Sequence, residues 1–282
     1  MTKKFITALL FLMSAGAGIL AQENAQAFKN LSVGVELIST TGFGLEVATP
    51  LHSNFALRGG ISILPFDYSH TFKASVSSGI LKKIDDAIGI HPDISTALSQ
   101  NGLPTKASNI STDVDAKGTL NFVNGKILVD YYPWATGAFH VTAGVYIGAT
   151  KPIKLEGHMN DQAIQVLNVL NDHGVNYFDE PYVANAAKGY SLTGRDLINF
   201  SGELQINAVK PFLGIGYGRA IPKRLLGINI ELGAYYQGTP KLIYSNPNLE
   251  KFIDDKVGDV SGTIKDFSVY PVLSFKLNFR VF

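Results

Sequence analysis

Residues 210–238 read KPFLGIGYGRAIPKRLLGINIELGAYYQG, and the alternation inside this stretch decides the fold. Leu213, Ile215 and Tyr217 alternate with Gly214, Gly216 and Gly218. Past the break at Pro222 to Arg224, Ile228, Ile230, Leu232 and Ala234 alternate with Asn229, Glu231, Gly233 and Tyr235. Successive side chains of a strand point to opposite faces, so a period of two marks two strands with unlike faces joined by a short turn. The less apolar face combines glycines with a full charge. That mixture suits the inside of a narrow cylinder better than a surface bathed in solvent.

The same pattern spreads outward from this hairpin. Leu31, Val33, Val35 and Leu37 alternate with Ser32, Gly34 and Glu36; Phe43, Leu45 and Val47 with Gly44, Glu46 and Ala48; and Phe55, Leu57, Ile61 and Ile63 with Ala56, Arg58, Gly60 and Ser62. Further on, Ile127, Val129 and Tyr131 alternate with Lys126 and Asp130, and Val141, Ala143, Val145 and Ile147 with His140, Thr142, Gly144 and Gly148. A last strand sets Leu273, Phe275, Leu277, Phe279 and Val281 against Ser274, Lys276, Asn278 and Arg280. Eight strands result. The links 50–53, 133–137 and 220–225 are short, whereas those at about 65–117, 150–208 and 239–266 are long. After the second strand, which follows a short turn at Thr40 and Thr41, short and long links alternate strictly, as a chain shuttling across a slab requires, with the long ones outside. Each long link carries an amphipathic helical pattern: Ile80, Leu81, Ile84 and Ile88; Ile164, Leu167 and Leu170; Leu249, Phe252, Ile253 and Val257. The expected fold is all-β, an eight-stranded antiparallel transmembrane β-barrel with three long helix-containing extracellular inserts.

The chain has 282 residues, of which 46% are hydrophobic and 17% charged, so a disordered chain is excluded. A net charge of +1 gives no footprint for nucleic acid, and the absence of cysteine removes disulfides, thiolate metal sites and a lipid-bearing cysteine. Lys3 and Lys4 followed by the uncharged stretch Phe5 to Leu20 read as a secretory signal over residues 1–21, with cleavage as late as residue 27, leaving 28–282 as the barrel. An uncleaved anchor helix is the alternative, but the stretch is short for it. Outer-membrane lipid and the barrel-assembly machinery are the expected partners, with an extracellular ligand at the loops left open.

Periodicity alone does not separate a membrane barrel from a soluble one; the location of the charges does. With aliphatic residues turned to lipid, the lumen receives Glu36, Glu46, Asp130 and Glu231 together with Arg58, Lys126, Lys276 and Arg280. Eight strands enclose a space that side chains just fill, so opposite charges there are expected to pair and seal it. A narrow path for small solutes or lipophilic ligands is the alternative, and a lipid-modifying enzyme is a third. His70, His140 and His158 are the histidines such an enzyme could use, yet none sits in a local motif, and Asp172 with His173 lacks metal-ligand spacing. No catalytic residue, metal site or cofactor is therefore assigned. Before Leu213 the parity inverts: Leu204 and Ile206 fall on the inward side, as do Leu120 and Phe122 before Lys126. Either a β-bulge at Lys210-Pro211 or a wall continuing above the membrane, wet outside and covered by helices inside, accounts for this; the second is preferred.

The segments 210–220 and 230–238 and the ending from Tyr270 to Phe282 resemble the porin-like outer-membrane β-barrel family, relatives in architecture of the OmpA and OmpX transmembrane domains. The resemblance covers roughly the C-terminal quarter of the chain and, more loosely, the first strands. It implies a fold and an outer-membrane location, not an activity, and a terminal aromatic read by the assembly machinery, here Phe282. One departure is that Phe282 falls on the parity of Asn278 and Arg280 instead of the lipid-facing one. The function expected is non-enzymatic, structural or surface-interacting.

Overall fold

The computed structural model describes residues 29–74, 76–257 and 260–281; residues 1–28, where a signal is expected, and Phe282 lie outside the described residues. Strands β1 (Ser32–Ser39), β2 (Phe43–His52) and β3 (Phe55–Lys73) form successive antiparallel hairpins. After two helices, α1 (Ser78–Ile90) and α2 (Pro92–Gln100), β4 (Asp113–Tyr131) pairs back on β3, and β5 (Phe139–Gly148) pairs on the lower half of β4. The chain then leaves the wall through β6 (Ile153–Met159), α3 (Asp161–Asp172), β7 (Pro181–Asn185), β8 (Tyr190–Thr193), α4 (Gly194–Ile198) and β9 (Asn199–Gln205). It returns as β10 (Val209–Tyr217) beside β5 and turns into β11 (Leu226–Tyr236). A last excursion comprises β12 (Lys241–Tyr244), α5 (Pro247–Val257) and α6 (Val260–Lys265), before β13 (Val269–Arg280) runs back along β11.

β13 also pairs with β1, from Ser32↔Arg280 to Ser39↔Ser274, so β1 to β5, β10, β11 and β13 close an eight-stranded antiparallel barrel. Closure leaves no edge within this wall. One register shift in β1, between Glu36 and Ile38, turns both Leu37 and Ile38 outward. The outer face carries exposed Leu45, Val47, Ile61, Ile127, Leu213, Ile215, Ile228, Ile230, Leu232 and Leu273. Tyr131, Trp134 and Tyr217 stand exposed where the short turns lie.

The inserts depart from simple helical loops. β3 and β4 stay paired beyond the barrel as far as Lys73↔Asp113, so the segments 65–73 and 113–117 assigned to the first insert belong to strands. Above the level where β5 ends, β4 takes β6 as its neighbour, then β9 and β12 follow, giving a second sheet that grows out of the barrel wall. Here the parity inversion has its physical reason: Phe122, Leu204 and Ile206 pack inward against Leu242 and Ile264, while Asp115, Lys117 and Asn121 face water. The β5–β10 register is unbroken from Val209↔Ile147 to Tyr217↔Phe139, so no bulge occurs at Lys210-Pro211.

The helices cover this upper sheet. Ile80, Ile84 and Ile88 of α1, Ile94 and Leu98 of α2, Val166, Leu167 and Leu170 of α3 and Leu249 and Phe252 of α5 enter one apolar core with Val114, Met159 and Phe200. Ile164, Leu81 and Ile253 lie at its margin, and the Val257 side chain lies outside the described residues. The Asn160 side chain caps α3 by accepting from the Gln162 amide, and Thr193 and Asp196 form a capping box on α4.

Candidate functional site in the barrel lumen

Inward parity stacks the lumen in layers. Next to the short turns lies a small apolar floor of Ala48, Ala56, Tyr132 and Ala220. Above the ionic layer, Leu128, Tyr146, Phe212, Tyr235 and Val272 form an aromatic ceiling, with Tyr235 stacked on Tyr270 at 5.0 Å. Between floor and ceiling the charges meet. Arg58 Nη1 donates to Glu46 Oε2 at 3.0 Å, its Nε to Asp130 Oδ1 at 3.1 Å, and its Nη2 to Glu231. Lys126 Nζ bridges Glu36 Oε2 at 2.8 Å and Glu46 Oε1 at 2.7 Å. Lys276 Nζ bridges Glu46 Oε1 at 3.0 Å and Glu231 Oε2 at 3.5 Å.

All seven of these side chains are at most 4% exposed, which places them out of reach of bulk water. Ion pairs so buried are costly to form unless their members are held by several partners, and the fused arrangement gives each member at least two, except Glu36, which meets Lys126 alone. Thr142 adds a bond to Asp130 Oδ1 at 2.8 Å. The glycines of β10 make room: a Cβ on Gly216 would stand 2.4 Å from His140 Nε2 and 2.9 Å from the Ile230 carbonyl.

Arg280, assigned to the same network from sequence, is not in it. It lies at the end of β13, half-buried, with Nη2 bonded to Asn30 Oδ1 at 2.6 Å. The reason is its height: four residues beyond Lys276, it falls past the floor. A further buried cation, Lys210, lies above the ionic layer, where Nζ donates to Asn124 Oδ1 at 2.8 Å and the Ala149 carbonyl at 3.0 Å and sits 5.9 Å from the Tyr235 ring. Its inward direction was legible as the parity of Phe212, two residues on.

No family profile matches the sequence, and no curated protein matches it. Two crystal structures of Acinetobacter baumannii proteins are similar to this fold. CarO2 is 16% identical, with 91% of this chain and 100% of that chain covered and a TM-score of 0.44. CarO is 17% identical, with 91% and 99% covered and a TM-score of 0.39.

Of the histidines noted in the sequence, His140 alone joins the lumen; His70 and His158 lie on the upper sheet. There Ser69, Thr71, Asp115, Lys117, Glu156, His158, Asn199 and Ser201 line an open groove of about 540 Å³. They form two cross-strand rows, because Thr71↔Asp115, Asp115↔His158 and His158↔Asn199 are register partners, as are Ser69↔Lys117, Lys117↔Glu156 and Glu156↔Ser201. His158 is held by Asp161 Oδ1 at 2.9 Å and Asn199 Oδ1 at 3.0 Å. The Asp161 bond above all, then that to Asn199, raises its pKa from 6.5.

Proposed function

We propose that this chain is an outer-membrane β-barrel protein with a structural or surface-interacting role, non-enzymatic, whose lumen is closed by a fused ion-pair layer. The carrying observation is the inversion of polarity: a belt of exposed aliphatic side chains surrounds a closed wall whose acids and bases are buried inside. In water such a belt is unfavourable, since each Å² of apolar surface left wet costs about 25 cal/mol; in lipid it is matched. Export through the N-terminal signal, assembly through the barrel machinery and kinship with OmpA- and OmpX-like barrels belong to the same reading. The surface-interacting role belongs to the upper sheet and its polar groove.

Three measurements test this. Unheated protein is expected to migrate faster than boiled protein on a denaturing gel, because a closed barrel stays folded in detergent; identical mobility would count against the membrane reading. Refolded protein in planar bilayers is expected to pass no steady current. Stable single-channel conductance would replace the closed lumen by the conduit reading, and altered lipid acylation on deletion would bring back the enzyme.

A further inference from the structure

Three buried groups of the lumen stand close together, and two of them, His140 and Glu231, carry an atom with no hydrogen-bond partner. His140, on β5, is fully buried, and its Nδ1 lies 3.2 Å from the Ala138 carbonyl. A carbonyl only accepts, so Nδ1 carries the proton of that bond and Nε2 is the nitrogen that faces the ionic layer. Nε2 has no hydrogen-bond partner and stands 3.8 Å from Glu231 Oε2. Glu231 Oε2 accepts from Arg58 and from Thr142 at 3.3 Å and stands 3.5 Å from Lys276 Nζ, while its Oε1 has no hydrogen-bond partner. Asp130 gives Oδ1 to Arg58 and Thr142, and its Oδ2 meets only the Tyr132 hydroxyl, at 3.3 Å. One ligand atom from each of Asp130, His140 and Glu231 lies within 4.8 Å of the other two.

The charge of the layer points the same way. Four carboxylates, Glu36, Glu46, Asp130 and Glu231, are bridged by three cations, Arg58, Lys126 and Lys276. One negative charge is left over within the layer, Lys210 being held above it on Asn124 and the Ala149 carbonyl, so a cation entering there meets net negative charge.

We propose that Asp130, His140 and Glu231 bind one divalent transition-metal ion of the zinc class. An imidazole with two carboxylates is a donor set for such ions, whereas magnesium and calcium prefer oxygen alone. The Nδ1 bond to a backbone carbonyl is the support that metal-bound imidazoles characteristically have, since it fixes the tautomer and aims the ring. Arg58 and the metal need not compete for one oxygen, because Glu231 Oε1 accepts no hydrogen bond and Asp130 Oδ2 accepts only from Tyr132. Tetrahedral bonds of about 2.0–2.1 Å put donors roughly 3.4 Å apart, so from separations within 4.8 Å binding draws the three together by at most about 1.4 Å and leaves a fourth coordination position. The inference uses lumen geometry alone and does not depend on which membrane holds the barrel.

The test uses the full chain refolded in detergent, stripped with EDTA and titrated with Co²⁺. One equivalent is expected to bind with visible ligand-field bands, and Zn²⁺ is expected to displace it. His140→Gln should abolish the bands while retaining the fast-migrating folded form, since His140 makes no hydrogen bond to the Arg58 network; His158→Gln should leave them intact. Absence of binding to the folded wild type, or undiminished bands in folded His140→Gln, overturns the proposal. An NMR titration in which the His140 ring takes up a proton and ignores Zn²⁺ overturns it too, by showing that a proton fills the gap. Should His140→Gln fail to fold, X-ray absorption on the loaded wild type decides: a shell with one imidazole among oxygens upholds the site, and an all-oxygen shell refutes it.

Discussion

Arg58 holds three carboxylates at once, so its removal strands the largest share of buried negative charge. Arg58→Ala is expected to destabilise the barrel by about 3–5 kcal/mol, the range seen when one member of a buried pair is deleted. A lowered urea midpoint for loss of the compact gel form would show it; a midpoint within error of wild type would mean that water reaches the layer. Gly216→Val tests crowding at the same height, since its Cβ would already stand 2.4 Å from His140 Nε2. It is expected to block refolding, which the yield of compact form would report. On the upper sheet, His158 has a pKa raised from 6.5, chiefly by Asp161. The bond therefore favours the folded sheet fully below that ordinary value and loses this contribution as pH rises through the raised one. NMR titration of the His158 ring should give a midpoint above 6.5, with Asp161→Asn returning it toward that value.

At the scale of elements, the same two-residue period means opposite things at two heights. In β11, Ile230 and Leu232 face outward and are about half exposed, so Ile230→Arg is expected to cost about 2–4 kcal/mol at mid-bilayer depth, measured as the change in unfolding free energy in lipid vesicles. In β9 the outward position is Glu203, and the apolar Leu204 faces in. Reading polarity strand by strand was enough to place the eight wall strands and the inward direction of Glu36, Glu46, Arg58, Lys126, Asp130, Glu231 and Lys276. It read the inversion at Phe122 as a wall continuing above the membrane but missed its extent: β3 and β4 run 19 residues each, so 65–73 and 113–117 belong to strands and not to the insert. Nor could it reveal β6, β9 and β12 as one sheet, whose pairing is set by tertiary contacts. The cluster of Asp130, His140 and Glu231 was equally hidden: its members come from β4, β5 and β11, and no local spacing announces a site built across three strands. Arg280 shows the converse error, since parity gives direction but not depth.

For the molecule as a whole, the lumen and the upper sheet divide the work: one fills and stiffens the wall, the other presents a polar face. The strand that seals the cylinder is β13, whose residues meet β1 across most of the chain, as in Val33↔Phe279. Contacts so distant in sequence make for slow folding. Until β13 meets β1, strands that have already paired keep two bare margins, each able to recruit a stranger's backbone. A barrel still open between β1 and β13 is a ribbon seeking a neighbour, and its safe passage rests on whatever shields those margins before the seam zips.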